Sequence, residues 1–390
     1  MFLKNAANMG LADMAFAALW VVLFHIRAFS GARLQGMLAP FDLVVRSGST
    51  GVSLFLVISG FCLYAPFAGG RLERFAAGSF FVRRIRRLAP AYYCSIAFAL
   101  ALNLLGGGAL GFGPMSFPDA VGQVVAHALM LHTFFPGTFY ALNGAYWSLG
   151  LEWQLYRALP LLIWGARRFG LAPALVAPVL VNVVYRLGLA VAVSHGLITP
   201  RVVAGVVLPN LLPGRWAEFV FGMLAAELYA RGAIDRLPSA AAYAWIPLLA
   251  LGILADKLAL NHLVYGAAFA ALLVGVLRSR SMIGRAFSWP PLVGLGIMSY
   301  SLYLVHQPIV QAMAYVLRHD AGLSPTRAFV ALLVLFPVIL AAAWALFVLV
   351  ERRTLTSRPV EVRGWIASLL FPRSPWTAPA RSAEARPPAA

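Results

Sequence analysis

The feature that most constrains this chain is a succession of long apolar runs separated by short polar loops. A bilayer core of roughly 30 Å is crossed by a helix of about 20 mostly apolar residues. Runs of that kind recur at 11–30, 43–64, 89–107, 147–165, 171–193, 208–230, 241–256, 261–277, 292–317 and 326–350. They predict an all-α polytopic integral membrane protein with about ten transmembrane helices. Residues 120–140 break the pattern, because Val124 to Phe135 is short, is interrupted by His127 and His132, and runs into Pro136-Gly137. This stretch reads as re-entrant or interfacial, with a full span as the alternative. Composition agrees: of 390 residues 61% are hydrophobic and 11% charged, which excludes an ordinary cytoplasmic enzyme and a disordered chain.

The net charge of +18 would suggest a nucleic-acid partner in a soluble protein. In a membrane protein the Lys/Arg excess marks the cytoplasmic loops instead, and no nucleic acid is expected. With both termini cytoplasmic, the inner loops hold Arg71, Arg74, Arg83, Arg84, Arg86 and Arg87, then Arg167 and Arg168, Arg231 and Arg236, and Arg278, Arg280 and Arg285. Arg352, Arg353 and Arg358 follow in the tail, whereas residues 106–146 contain no Lys or Arg. Outer loops keep scattered cations such as Arg33, Arg201, Lys257 and Arg318. The first apolar run lacks a small-residue cleavage pattern and reads as a retained helix. The expectation is a multi-pass protein of a bacterial inner (plasma) membrane, with one transmembrane domain over 1–355 and a Pro/Ala/Arg-rich, largely disordered cytoplasmic tail over 356–390. Cys62 and Cys94 sit in apolar runs and read as core residues, without a disulfide or a metal site.

Ionisable side chains inside spans cost roughly 2.5–3.5 kcal/mol each on insertion scales, so each is a functional candidate by default. His25 lies toward the outer end of the first run and suits general-base work, with an interfacial histidine as the alternative. Glu152, about one and a half turns into the fourth helix from its outer end, either orients an imidazolium or pairs with Arg157. His306 precedes Gln307-Pro308 and either lines a site or caps a kink at the proline. Glu218 lies one turn after Arg215, a spacing that favours a structural pair. Four arginines crowd positions 83–87, which suits either anionic lipid or, through Arg84 and Arg87 on one helical face, a phosphorylated ligand. The small residues of "GSTGVSLFLVISGF" (48–61), including Ser59 and Gly60, permit either close helix packing or a slot for a slender ligand arm.

Five segments in order, "AALWVVLFH" ending at His25, "GVSLFLVISGF" at 51–61, "RRIRRLAP" at 83–90, "WSLGLEWQLY" at 147–156 and "GIMSYSLYLVHQPI" at 296–309, resemble membrane-bound acyltransferase family 3. That family O-acetylates bacterial surface polysaccharides, peptidoglycan and related acceptors. The resemblance implies a catalytic His25, an Arg-x-x-Arg pair at Arg84 and Arg87, and matched roles for Glu152 and His306. It also implies acetyl-CoA as donor co-substrate, with no bound cofactor and no metal, and a sugar hydroxyl as acceptor. Trp147, Ser148 and Tyr300, in the same segments, are expected on the acceptor side. One position departs from the pattern: the family's Arg or Lys eleven residues before the histidine is Met14 here, preceded by Asp13, with Lys4 or Arg46 as candidate replacements.

These readings join in one scheme. The phosphates of acyl-CoA stop at Arg83, Arg84, Arg86 and Arg87, the pantetheine arm threads a slot beside Ser59 and Gly60, and the thioester meets His25. The acceptor is a carbohydrate or glycolipid, and membrane lipids are obligate neighbours. The alternatives are a polytopic transporter, or an acyl relay serving a separate extracytoplasmic transferase.

Overall fold

A computed structural model describes residues 2–198, 203–255, 258–278 and 281–355; side chains at 2–10, 203, 204 and 355 fall outside the description. The tail 356–390, Arg201, Lys257, Arg280, Arg358 and the Lys4 side chain therefore lie outside the described residues. In hydrocarbon every backbone N–H and C=O must be satisfied within its own segment, so the apolar runs form helices. Among the described residues there is no strand.

The helices of eight residues or more are α1 (Phe2–Ser30), α2 (Ala39–Arg46), α3 (Gly51–Tyr64), α4 (Ala77–Ala101), α5 (Phe117–Ala128), α6 (Trp147–Phe169) and α7 (Leu171–Ser194). They continue as α8 (Leu212–Ala230), α9 (Trp245–Leu254), α10 (Asn261–Leu277), α11 (Pro290–Ile297), α12 (Ser299–Tyr315), α13 (Pro325–Val334) and α14 (Phe336–Leu346). Among the described residues four segments are long and apolar enough to cross a membrane, Leu11–Ser30, Gly36–Tyr64, Ala77–Leu110 and Leu171–Ser194, or up to six if each of two bent pairs is one span. Helices α6 and α8 are interrupted by charge: α6 holds Glu152, Arg157, Arg167 and Arg168, and α8 holds Arg215, Glu218 and Glu227. Helix α7 shows the opposite character, exposing Val176, Leu180, Val184 and Val191 along one face.

Two hydrophobic cores flank the α1–α3 pair. One joins Trp20, α3, α6, α8 and α10. The other joins Val21, Val22 and Ile26 of α1 to Tyr92 of α4, to α12 and to α14. Phe55 packs against both, and the main cavity opens along this seam. Helices α3 and α8 cross at glycines: a Cβ on Gly60 would overlap the Phe219 carbonyl, and one on Gly222 the Val57 carbonyl. Gly60 is thus a packing residue of the α3–α8 contact and does not line the cavity.

Three further expectations need correction. The bend in the 292–317 run is not at Pro308, which α12 carries in its interior; it is a 74° break between α11 and α12. It falls there because Gly296 packs against the Leu11 carbonyl of α1 and the Ser299 hydroxyl donates to the Gly296 carbonyl at 2.8 Å, ending α11. Cys94 is exposed on α4 and is not a core residue, whereas Cys62 packs against the first hydrophobic core and also lines the cavity; both are free thiols.

Glu152 is the third case. Residues 117–146 form α5, only about 18 Å long at 1.5 Å per residue, followed by turns in which Met130 and Leu142 adopt positive φ. Tyr92 and Tyr93 of α4 donate to the His127 and Ala128 carbonyls and hold this segment among the helices. As a result α6 starts deep in the bundle. Arg215 bonds Ser53 and sits over the Trp147 ring, and neighbouring Gly51 packs on Ala17 and Val21 halfway along α1. Glu152 therefore lies beyond the midpoint, level with Ser59, and not near the histidine end.

Candidate functional site

On α4, Arg84 and Arg87 are one helical turn apart and face a cavity of about 490 Å³, while Arg83 and Arg86 are exposed. Both inward guanidinium Nε atoms are buried and have no protein acceptor among the described residues, which leaves their donor capacity for a ligand. Val52, Phe55, Leu56, Ser59, Cys62 and Leu63 of α3 form one wall. The spacing follows from helix geometry: Ser59 faces the cavity, and Gly60, about 100° further round, faces α8.

Glu152 lines the cavity beside the arginines and accepts from Ser59 Oγ at 2.9 Å and Tyr156 OH at 2.5 Å. Its hydrogen bonds go to neither histidine nor to Arg157, whose guanidinium lies 5.4 Å from the Trp153 ring centroid. Tyr300 also belongs to this end: its hydroxyl donates to the Leu88 carbonyl at 3.0 Å, one turn beyond Arg84. Trp147 stacks on Phe139 and carries Arg215 over its face. Arg215 and Glu218 form the expected pair at 2.6 Å, and Arg215 further bonds Asn210 and Ser53, tying α8 to α3.

At its other end the cavity stops at Ser148 and Tyr303, whose hydroxyls lie 2.6 Å apart. Behind Tyr303 stands His306, with ring centroids 5.5 Å apart, and behind His306 stands His25, with Nε2 to Nδ1 at 3.2 Å. Hydrogen-bond partners assign the tautomers. His306 Nδ1 faces only the Leu302 and Tyr303 carbonyls, so it carries the proton and Nε2 bears a lone pair. His25 Nδ1 faces that lone pair and the Val21 carbonyl at 2.9 Å, so it too is protonated. The remaining atom, His25 Nε2, is left as a free base. No carboxylate is among the hydrogen-bond partners of either histidine in the described residues. His25 does not line the cavity, because Phe55 sits edge-on against Tyr303 at 5.3 Å across its end.

Beside the pair, Arg27 and Asp42 form a bidentate bridge at 2.7 Å, and Asp42 also accepts from the Leu34 backbone N–H. This fixes the loop that follows α1. Sequence reasoning missed this bridge, Tyr303 and Glu351. Tyr303 was detectable as the residue one turn before His306. Glu351, buried at the end of the run that continues α14, accepts from Ser301 and lines the arginine end. Met14 lines the cavity where the family resemblance calls for a cation, and Asp13 beside it is buried without a hydrogen-bond partner among the described residues. Arg46 is exposed at the end of α2, far along α1 from Met14, and supplies no charge there. Among the described residues no group of three or more His, Cys, Asp or Glu could hold a metal ion.

A family model described as an acyltransferase domain matches residues 15–348. Nodulation protein 10 of Rhizobium leguminosarum bv. viciae is 32% identical over 150 residues, 36% of this chain and 39% of that protein. The chain thus aligns with well under half the length of that relative. No solved structure matches.

Proposed function

Because this chain belongs to the acyltransferase family whose domain spans residues 15–348, we propose that it moves an acyl group, acetyl in the first instance, from cytoplasmic acyl-CoA to a hydroxyl of a cell-surface carbohydrate or lipid-linked glycan. The observation that carries the reading is the order of residues along one path, with Arg84 and Arg87 at one end of the cavity, then Ser59, then Ser148 and Tyr303, and behind them His306 and His25. In this reading the arginine end faces the cytoplasm, the chain crosses the membrane about ten times with both termini inside, and the location is a bacterial inner membrane.

The nucleotide phosphates stop at Arg84 and Arg87, since guanidinium forks match phosphate oxygens and phosphates cannot enter hydrocarbon. The slender arm follows α3 toward Tyr303, and its thioester reaches His25 when Phe55 moves off the Tyr303 ring. From Met14 to His25 along α1 is about 16 Å at 1.5 Å per residue, a distance an extended pantetheine arm covers. His25 Nε2 takes the acceptor hydroxyl proton, the oxygen attacks the thioester carbon, and the C–S bond breaks. His25 then returns the proton to the departing thiolate, giving an O-acyl ester and free CoA. His306 supports the imidazolium through its Nε2 lone pair, the part that a carboxylate plays in other triads. An acyl-histidine intermediate at the same Nε2 uses the same geometry.

The test is thioester consumption by the purified protein in nanodiscs with acetyl-CoA and a glycan acceptor. Release of thiol that disappears in His25→Ala supports the reading; acetyl-CoA left intact while a solute crosses the membrane identifies a transporter instead. Mass spectrometry of surface glycans from a deletion strain identifies the acceptor by a lost acetyl increment.

A further inference from the structure

A second cavity, of about 260 Å³, lies on the flank of the bundle between α4 and α6. Its two ends differ in chemistry. Arg84 and Arg157 stand at one end. The walls then run outward along Ile85, Leu88 and Tyr93 to Leu129 and Met130 in the turn after α5. The rim residues Ile85, Tyr93 and Leu129 are about half exposed, so the cavity opens sideways, where hydrocarbon surrounds a membrane helix.

The cationic end is underused within the protein. Arg157 is exposed, rests on the Trp153 ring, and forms no ion pair among the described residues. The Arg84 Nε is buried and without an acceptor. Glu152, the carboxylate in this wall, is engaged by Ser59 and Tyr156. Two guanidiniums therefore face an opening to lipid, and an apolar trough leads away from them. Basic recesses between membrane helices on the cytoplasmic side are sites for anionic headgroups. The cavity's volume of about 260 Å³ is below the roughly 300–1,000 Å³ of a drug-sized pocket, a size suited to part of a single alkyl chain. The nine helical steps of α4 from Arg84 to Tyr93 give the trough a length of about 14 Å.

We propose that this flank cavity is a binding site for an anionic phospholipid of the surrounding leaflet, with the phosphate between Arg84 and Arg157 and one acyl chain lying along α4 as far as Met130. The occupant is a bilayer phospholipid because the site opens to the membrane, combines a cationic end with a small apolar trough, and lies at the arginine-rich end of the bundle. The cavity shares Arg84 with the larger one, so lipid phosphate and donor phosphates draw on the same guanidinium.

The experiment is native mass spectrometry of the full chain released from nanodiscs of phosphatidylglycerol or phosphatidylcholine, without donor or acceptor, so that it reads the lipid site whether or not the acyltransfer reading stands. The expected result is one tightly retained phosphatidylglycerol on the wild type and none of the zwitterionic lipid. Arg157→Gln should weaken retention about tenfold, Arg157→Lys should keep most of it, and Leu129→Trp should lose it by filling the chain end. Each variant should melt at the wild-type temperature, since both side chains are exposed. Equal retention of the two lipids, or undiminished retention in Arg157→Gln, overturns the proposal. Displacement of the lipid by soluble glycerol 3-phosphate would mark a headgroup-only site and also overturns it, as would preferential capture of a polyprenyl phosphate over phosphatidylglycerol.

Discussion

His306 Nε2 lies 3.2 Å from His25 Nδ1, joining α12 to α1 across 281 residues of sequence. Both Nδ1 atoms point at backbone carbonyls, so the pair has one hydrogen-bond direction and leaves one free lone pair, at His25 Nε2. In the proposed reaction the second imidazole holds the base in a single tautomer, and no carboxylate hydrogen-bonds either ring among the described residues. In that reaction His306 is the positioning residue and His25 the base.

Replacing the second imidazole should therefore affect chemistry and not binding. His306→Ala is expected to lower kcat by about 10²-fold, within the range for loss of acid–base assistance, with little change in KM for acetyl-CoA. His306→Gln, which restores an acceptor toward His25 Nδ1, should recover part of the rate. A change confined to KM would remove His306 from this role.

Adjacent positions on α3 should behave in opposite ways. Ser59→Leu narrows the cavity and removes one bond to Glu152, so donor affinity should fall about tenfold or more while the melting temperature changes little. Gly60→Ala drives a Cβ into the Phe219 carbonyl and should cost about 1–3 kcal/mol of stability, read as a lower melting temperature. Titration calorimetry with acetyl-CoA and a thermal-shift series separate the two.

The segment after α5 should loosen in acid. His127 and His132 stack with centroids 4.3 Å apart, and His132 Nε2 bonds the Tyr146 carbonyl. Burial, aided by the neighbouring imidazole, lowers the His132 pKa from 6.5 to about 4, and burial lowers that of His127. The opened segment then binds more protons than the packed one between pH 6.5 and about 4, so packing is fully stable above that window and weakens as pH falls through it. Between pH 7 and pH 5 the loss for His132 is about 2 kcal/mol. Hydrogen exchange of residues 127–146 should rise over that interval in the wild type and rise much less in His132→Gln.

Much of this site was legible in the sequence because its parts are expensive in a membrane: His25, Glu152, His306 and the arginines stood out as polar groups within apolar runs. What the sequence concealed was depth and direction. The short α5 lets α6 begin inside the bundle, which moves Glu152 from the histidine end to the arginine end, and Tyr300 belongs there too through its bond to Leu88. Ser59 and Gly60 look equivalent in a run of small residues, and only the position of α8 separates a cavity wall from a packing contact. Pro308 suggested the kink, but a proline within α12 is accommodated by packing, and the break falls where Gly296 meets Leu11. The pairing of His25 with His306, like the Arg27–Asp42 bridge, is a tertiary contact that no local pattern specifies.

In the proposed reaction one path separates donor binding at the arginines from chemistry at the histidines. Equilibrium binding and turnover of acetyl-CoA, measured side by side for His25→Ala and for Arg84→Ala/Arg87→Ala, test it most directly. His25→Ala should keep wild-type affinity and lose turnover, and the double arginine variant should lose at least tenfold in affinity. Unchanged acetyl-CoA affinity in the arginine variant, or sustained turnover in His25→Ala, would contradict it.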